Sequence, residues 1–189
     1  MAVHRVLQAT DPRDEVVLRR KSSRVRRFDQ ALERLIADMV ETMRAYRGVG
    51  LAAPQIGVLQ RVIVAELPAE GNAGQEQGSR RPGTLFVLCN PEITASSPEE
   101  QVGEEGCLSL AGWYGEVARA QAVEVRFQDR HGRGKKMRAE GYLARILQHE
   151  IDHLEGILFT DRVTDLSTLV RPAEEGEEAP ALNLVSRTA

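Results

Sequence analysis

Apolar and polar positions recur along this chain with two different periods, and each predicts a different kind of element. From Asp29 the residues Leu32, Leu35, Ile36, Met39 and Met43 fall at helical spacing, with Arg34, Asp38, Glu41 and Arg44 on the other side. The pattern predicts an amphipathic helix of about five turns, capped by Asp29 and ending near Gly48. The apolar runs at 61–65 and 84–89 read as buried strands. Residues 117–127, where Val123, Val125 and Phe127 alternate, read as a strand that returns through Asp129-Arg130-His131-Gly132 into 135–139 as a β-hairpin. A second helical period runs through Tyr142, Leu143, Ile146, Leu147 and Leu154, with Gly156 placed as a C-cap glycine. Residues 68–83, rich in Gly, Glu, Gln, Ser and Arg, read as a long mobile loop. The acidic stretch past Arg171, with Glu174, Glu175, Glu177 and Glu178, reads as disordered. The expected organisation is one domain over 1–165 followed by a flexible tail over 166–189.

Composition narrows the function classes. A chain of 189 residues with 42% hydrophobic positions can bury a core without help from a disulfide or a metal, so any metal site is expected to be catalytic. A net charge of -3 argues against binding nucleic acid over the whole surface, and 4% aromatic residues argue against a base-stacking platform. No sequence-specific nucleic-acid binding is expected. The run Arg19, Arg20, Lys21, Arg24, Arg26 and Arg27 reads first as a solvated segment, and contact with RNA or the ribosome through it stays open. Two cysteines, no apolar signal segment and no membrane-length apolar stretch point to the cytosol and away from a membrane.

The chemistry concentrates in Gln148-His149-Glu150-Ile151-Asp152-His153. This is an H-E-x-x-H pattern, whose spacing sets two imidazoles one turn apart on one helix face, with Glu150 beside the ion they could share. A catalytic site of this kind needs a third protein ligand. The metzincin extension fails because Phe159 stands where the third histidine belongs. A downstream glutamate is poorly served by Glu174 or Glu175, just after Pro172. Upstream, Cys107 follows Glu104-Glu105-Gly106 in a turn-like context where a thiolate can reach a metal, whereas Cys89 sits in an apolar strand and reads as core. Cys107 is therefore the expected third ligand.

Three segments, Gly48 to Gln55 as G-V-G-L-A-A-P-Q, Glu105 to Ser109 as E-G-C-L-S, and Gln148 to Leu154 as Q-H-E-I-D-H-L, together resemble the peptide deformylases, in the family's order and over about residues 7–163. Two departures stand out: Ala111 replaces a proline often found there, and the 68–83 loop is long. The resemblance implies an α+β fold in which antiparallel sheets pack around a central metal-binding H-E-x-x-H helix, with an N-terminal amphipathic helix. It implies one divalent metal held by Cys107, His149 and His153, with Fe(II) favoured and Zn(II), Ni(II) or Co(II) compatible with the same donors. Glu150 would be the general acid/base, with Gln55 and the backbone N–H of Leu108 supporting the oxyanion. Glu105 and Arg119 would form an ion pair behind the Cys107 loop, the other reading of Arg119 being an exposed strand residue.

The implied substrate is the N-formylmethionyl end of a newly synthesised polypeptide, hydrolysed to formate and a free amine in the bacterial cytoplasm. It would dock as an added strand beside Val49, Gly50 and Gly106. Tyr142, Ile146 and Val49 would receive the methionine side chain, and Arg145 on the same turn is less apolar than such a wall calls for. Two other readings remain: a zinc endopeptidase using Glu150 in the same way, and a closed structural zinc site with Asp152 as a fourth ligand.

Overall fold

The computed structural model describes residues 1–67 and 83–171. Of the 68–83 loop only Gly83 falls within that range, and the tail beyond Arg171 lies outside it. Among the described residues the order is α1 (Pro12–Leu18), α2 (Gln30–Ala45), β1 (Gly50–Ala52), β2 (Val62–Leu67), β3 (Thr84–Ser96), β4 (Glu100–Cys107), β5 (Leu110–Ala120), β6 (Ala122–Gln128), β7 (Gly134–Glu140) and α3 (Gly141–Leu154). Five strands form an antiparallel sheet in the order β1-β2-β3-β6-β7, and β4 pairs with β5 as a separate antiparallel hairpin. The architecture is α+β.

Strand β2 explains the layering. Its period of two sends Val62 and Val64 to one core, with Leu32, Ile36, Met39 and Met43 of α2, and Ile63 and Ala65 to another, with Ile146, Leu147, Ile151 and Leu154 of α3. A strand covered on both faces has no solvent side to mark with polar residues, so it reads as an unbroken apolar run. A third cluster, Leu110, Trp113, Val117, Phe159 and Val163, lies under the β4–β5 hairpin.

Asp29 caps α2 by accepting from the N–H groups of Ala31 and Leu32. The helix ends at Ala45, sooner than the sequence reading placed it, because Arg47 takes the left-handed conformation (φ 57°). Its N–H donates to Arg44 O (3.0 Å) and that of Gly48 to Met43 O (2.8 Å), closing the helix as a Schellman turn. At the end of α3 the left-handed residue is Gly156 (φ 76°), where a Cβ would also stand 2.3 Å from the Arg19 carbonyl oxygen.

Two sequence expectations need correction. Residues 117–127 are not one strand: the chain breaks at Gln121, and everything through Ala120 belongs to β5, in the other sheet. Continuous β-propensity across the break hid the change of partner. The boundary at 165 also cuts through packed structure. Residues 166–168 form a 3-10 turn, Leu169 packs on the third cluster, and Val170 exchanges hydrogen bonds with Tyr114 (2.8 and 2.9 Å). Three apolar residues in a polar stretch are too few to form a pattern, and their partners lie far away in sequence. The basic run divides too: Arg19, Lys21 and Arg27 pair with Asp161, Glu155 and Asp29, while Arg20, Arg24 and Arg26 are exposed.

Because Ile63 is fully buried between the sheet and α3, Ile63→Ala is expected to destabilise the fold by about 2–5 kcal/mol in urea unfolding. Val102→Ala, at a side chain that is 69% exposed, should stay within about 0.5 kcal/mol of the parent.

Candidate metal centre and active site

The turn of α3 that carries His149 and His153 faces the end of the β4–β5 hairpin, where Cys107 closes β4. Cys107 Sγ lies 3.2 Å from His153 Nε2. Together with a ring nitrogen of His149 these donor atoms fall within 4.8 Å of one another, and no other such trio of His, Cys, Asp or Glu occurs among the described residues. One sulfur and two imidazole nitrogens converging at this spacing suit a divalent transition metal. The far side of His149 is tied back in the manner common among ligating histidines, its Nδ1 facing Glu105 Oε2 at 2.9 Å so that Nε2 is left for an ion.

Behind the ligands lies a buried network of charges. Arg119 donates to both oxygens of Glu105 (2.9 Å each) and also to Asp152, which accepts from Arg162 as well. Burial would raise the Glu105 carboxyl, but hydrogen bonds from His149 and Arg119 outweigh it and bring its pKa down to about 2. Asp152, considered above as a fourth ligand, is occupied by these two arginines. Phe159, where a metzincin has its third histidine, stacks on the His149 ring with centroids 6.3 Å apart.

Glu150 differs from every carboxylate around it. It is 5% exposed, its Oε2 has no hydrogen-bond partner, and burial pushes its pKa up to about 7. A Cβ at position 50 would stand 2.3 Å from Glu150 Oε1, so only glycine lets β1 pass this close to the carboxyl. Gln55 is oriented by its own backbone turn. Its Oε1 accepts from the Ala52 N–H (2.8 Å), which turns Nε2 toward Ser109 Oγ (3.2 Å) and Cys107 Sγ (3.5 Å). The adjacent pocket has a volume of about 580 Å³. It opens between Val49 and Gly50, beside the edge strand β1, and Gly106 and Leu108 of the hairpin, with Tyr142 and Ile146 along α3 and His149 and Glu150 also in its lining.

The polypeptide deformylase family profile matches residues 3–168. The chain belongs to this family. It is 51% identical over 178 residues to the peptide deformylase of Roseiflexus sp. (strain RS-1), covering 93% of this chain and 96% of that one. Its fold matches the crystal structure of peptide deformylase from Ehrlichia chaffeensis with a TM-score of 0.77 at 35% identity, over 88% of this chain and 91% of the other. The Thermotoga maritima enzyme gives 0.74 at 38% identity, over 87% and 100%. A protease is thereby set aside, and the match extends past both ends of the stretch in which the sequence motifs were recognised.

Within this deformylase fold every residue singled out from sequence is found at or behind one pocket. Cys107, His149, Glu150, Gln55, Leu108, Val49, Gly50, Gly106, Tyr142 and Ile146 line it, as does Glu105, while His153 and Arg119 lie beneath. Arg145, less apolar than a pocket wall on that turn calls for, reaches the lining but is only 7% exposed, and its guanidinium turns away to Glu105 and the hairpin. Several pocket residues went unnoticed in the sequence. Tyr46 and Tyr114 join Tyr142, the one tyrosine expected there, so that all three tyrosines of the chain line the pocket and are exposed. They come from three distant segments, so no local motif links them. The N-terminal strap was also passed over. The N–H groups of Leu7 and Ala9 donate to Gln55 O and Ser109 O, and Gln8 Nε2 donates to Leu108 O, joining the glutamine turn to the cysteine loop.

Arg119 neutralises two buried carboxylates, so Arg119→Met is expected to cost about 3–5 kcal/mol of stability, measured by chemical denaturation of metal-free protein.

Proposed function

We propose that this chain removes the N-formyl group from the N-terminal methionine of newly synthesised polypeptides, releasing formate, with a divalent metal held by Cys107, His149 and His153. The observation that carries the reading is the convergence of these three donors beside the unpaired, buried Glu150 in a pocket bounded by a sheet edge, in a chain of the deformylase family. Iron(II) is the proposed ion, and zinc, nickel and cobalt suit the same donors. Bound there, it would polarise the formyl carbonyl and make water acidic enough to ionise near neutral pH.

The chain's own groups supply the rest. Glu150, poised near neutral pH, takes a proton from the attacking water and passes it to the amine nitrogen as the formyl C–N bond breaks, so the products are formate and a free amino terminus. The Gln55 amide and the Leu108 backbone N–H support the negative charge that develops on the carbonyl oxygen. Glu105, held by Arg119, keeps His149 in the tautomer that presents Nε2. The peptide lies extended between Val49-Gly50 and Gly106 in the manner of an added strand, and Tyr142, Ile146 and Val49 receive the methionine side chain. A formylated nascent chain implies a bacterial or organellar setting, and the bacterial cytoplasm is the one proposed. Among the described residues no helix is long and apolar enough to cross a membrane.

The test is formate release from a short formyl-Met peptide by anaerobically prepared protein, with bound metal quantified on the same sample. Turnover with about one metal per chain is expected, lost on chelation and restored by iron(II) or nickel(II). Glu150→Gln should keep its metal and lose roughly 10²–10⁴ in kcat/KM, whereas Cys107→Ala should lose both. Equal metal loss in the two variants would make Glu150 a ligand, and tightly held metal without formate release under iron, nickel and zinc alike would make the site structural.

A further inference from the structure

Helix α3 is fastened to the β4–β5 hairpin along one stripe. The Gly141 carbonyl accepts from Gln101 Nε2 (2.8 Å), Gln148 exchanges hydrogen bonds with the Ala120 backbone (2.9 and 3.1 Å), and Asp152 accepts from Arg119. Arg145 lies between them, and the positions 141, 145, 148 and 152 share one helix face. His149 and His153 each stand one residue further on, and the hairpin carries Cys107. The stripe therefore bears on how far the thiolate lies from the imidazoles.

Arg145 makes the broadest of these links. Its Nη1 donates to Glu105 Oε1 (2.8 Å), Val117 O (2.9 Å) and Gly103 O (3.2 Å), and its Nη2 to Gln101 O (2.6 Å). One guanidinium thus joins both hairpin strands and the carboxylate behind His149. A Cβ at Gly103 would stand 3.1 Å from Nη2, so the glycine gives the guanidinium its seat. Glu105 does not need Arg145 for its own orientation, because Arg119 already holds both of its oxygens. What Arg145 adds is the connection between hairpin and helix, one turn ahead of His149.

We propose that Arg145 is a positioning residue for the metal centre, fixing the hairpin that carries Cys107 against the turn that carries His149 and His153. The inference rests on reading those three residues as metal ligands. Lysine in its place could pair with Glu105, but a compact ammonium lacks the planar fork that spans the three carbonyls.

Cobalt(II) alone is the probe, because its thiolate charge-transfer band reports the cysteine bond directly. Wild-type protein, Arg145→Met, Arg145→Lys and the exposed Arg138→Met are loaded with it, and the absorption spectrum and the rate of metal loss to a chelator are recorded where circular dichroism shows each to be folded. Arg145→Met is expected to change the band and lose metal on the order of 10–100-fold faster. Arg145→Lys should fall between it and wild type, and Arg138→Met should match wild type. A folded Arg145→Met with the wild-type band and rate overturns the proposal. If the methionine variant does not fold, the same result from Arg145→Lys overturns it. A wild-type protein with no thiolate band overturns the metal reading itself, and this inference with it.

Discussion

The arrangement depends on a buried carboxylate, Glu105, held between cations. Three donors on two separate elements must be kept a few ångströms apart while a neighbouring carboxyl stays unpaired, and non-directional apolar packing alone does not fix such distances. Glu105 sits on the hairpin two residues before Cys107, accepts from Arg119 and Arg145, and faces His149 Nδ1 on α3. An ionised group at this depth is costly unless its partners are complete. With both arginines and the histidine in place, the same side chain joins the two elements and orients one of the ligands.

Around that joint the fold controls access. The two cores on either face of β2 hold α2 and α3 in register, leaving β1 as a short edge strand whose end borders the pocket. An edge strand normally risks unwanted pairing, but it is also the place where an extended peptide can add. Here it runs past Glu150 through a glycine, so backbone and carboxyl approach more closely than any side chain would permit. The contrast between Glu105 and Glu150 is one of partners: both are buried, and the one surrounded by cations stays ionised while the one without a hydrogen bond at Oε2 is shifted to about 7.

Much of the site could be read locally because its chemistry is written locally. H-E-x-x-H is a statement about one helix turn, and Cys107 emerged because the other sources of a third ligand were poor. Gln55 and Leu108 came only through family likeness, since nothing in their own neighbourhoods announces a hydrogen-bond donor. Arg145 shows where local reading stops: helical periodicity gives the face of a long side chain but not where its end goes, and four acceptors brought in by the hairpin draw this one inward.

By itself, then, the sequence determined the helix that carries the histidines, the buried strands and the three candidate ligands, because period, spacing and donor type are properties of short stretches. The tertiary structure decided which strands share a sheet, that residues 166–171 return to β5, that the three tyrosines meet at one pocket, and which carboxylate is paired and which is left alone. Those outcomes depend on partners tens of residues away, and contacts at that separation leave no periodic trace in the chain that makes them.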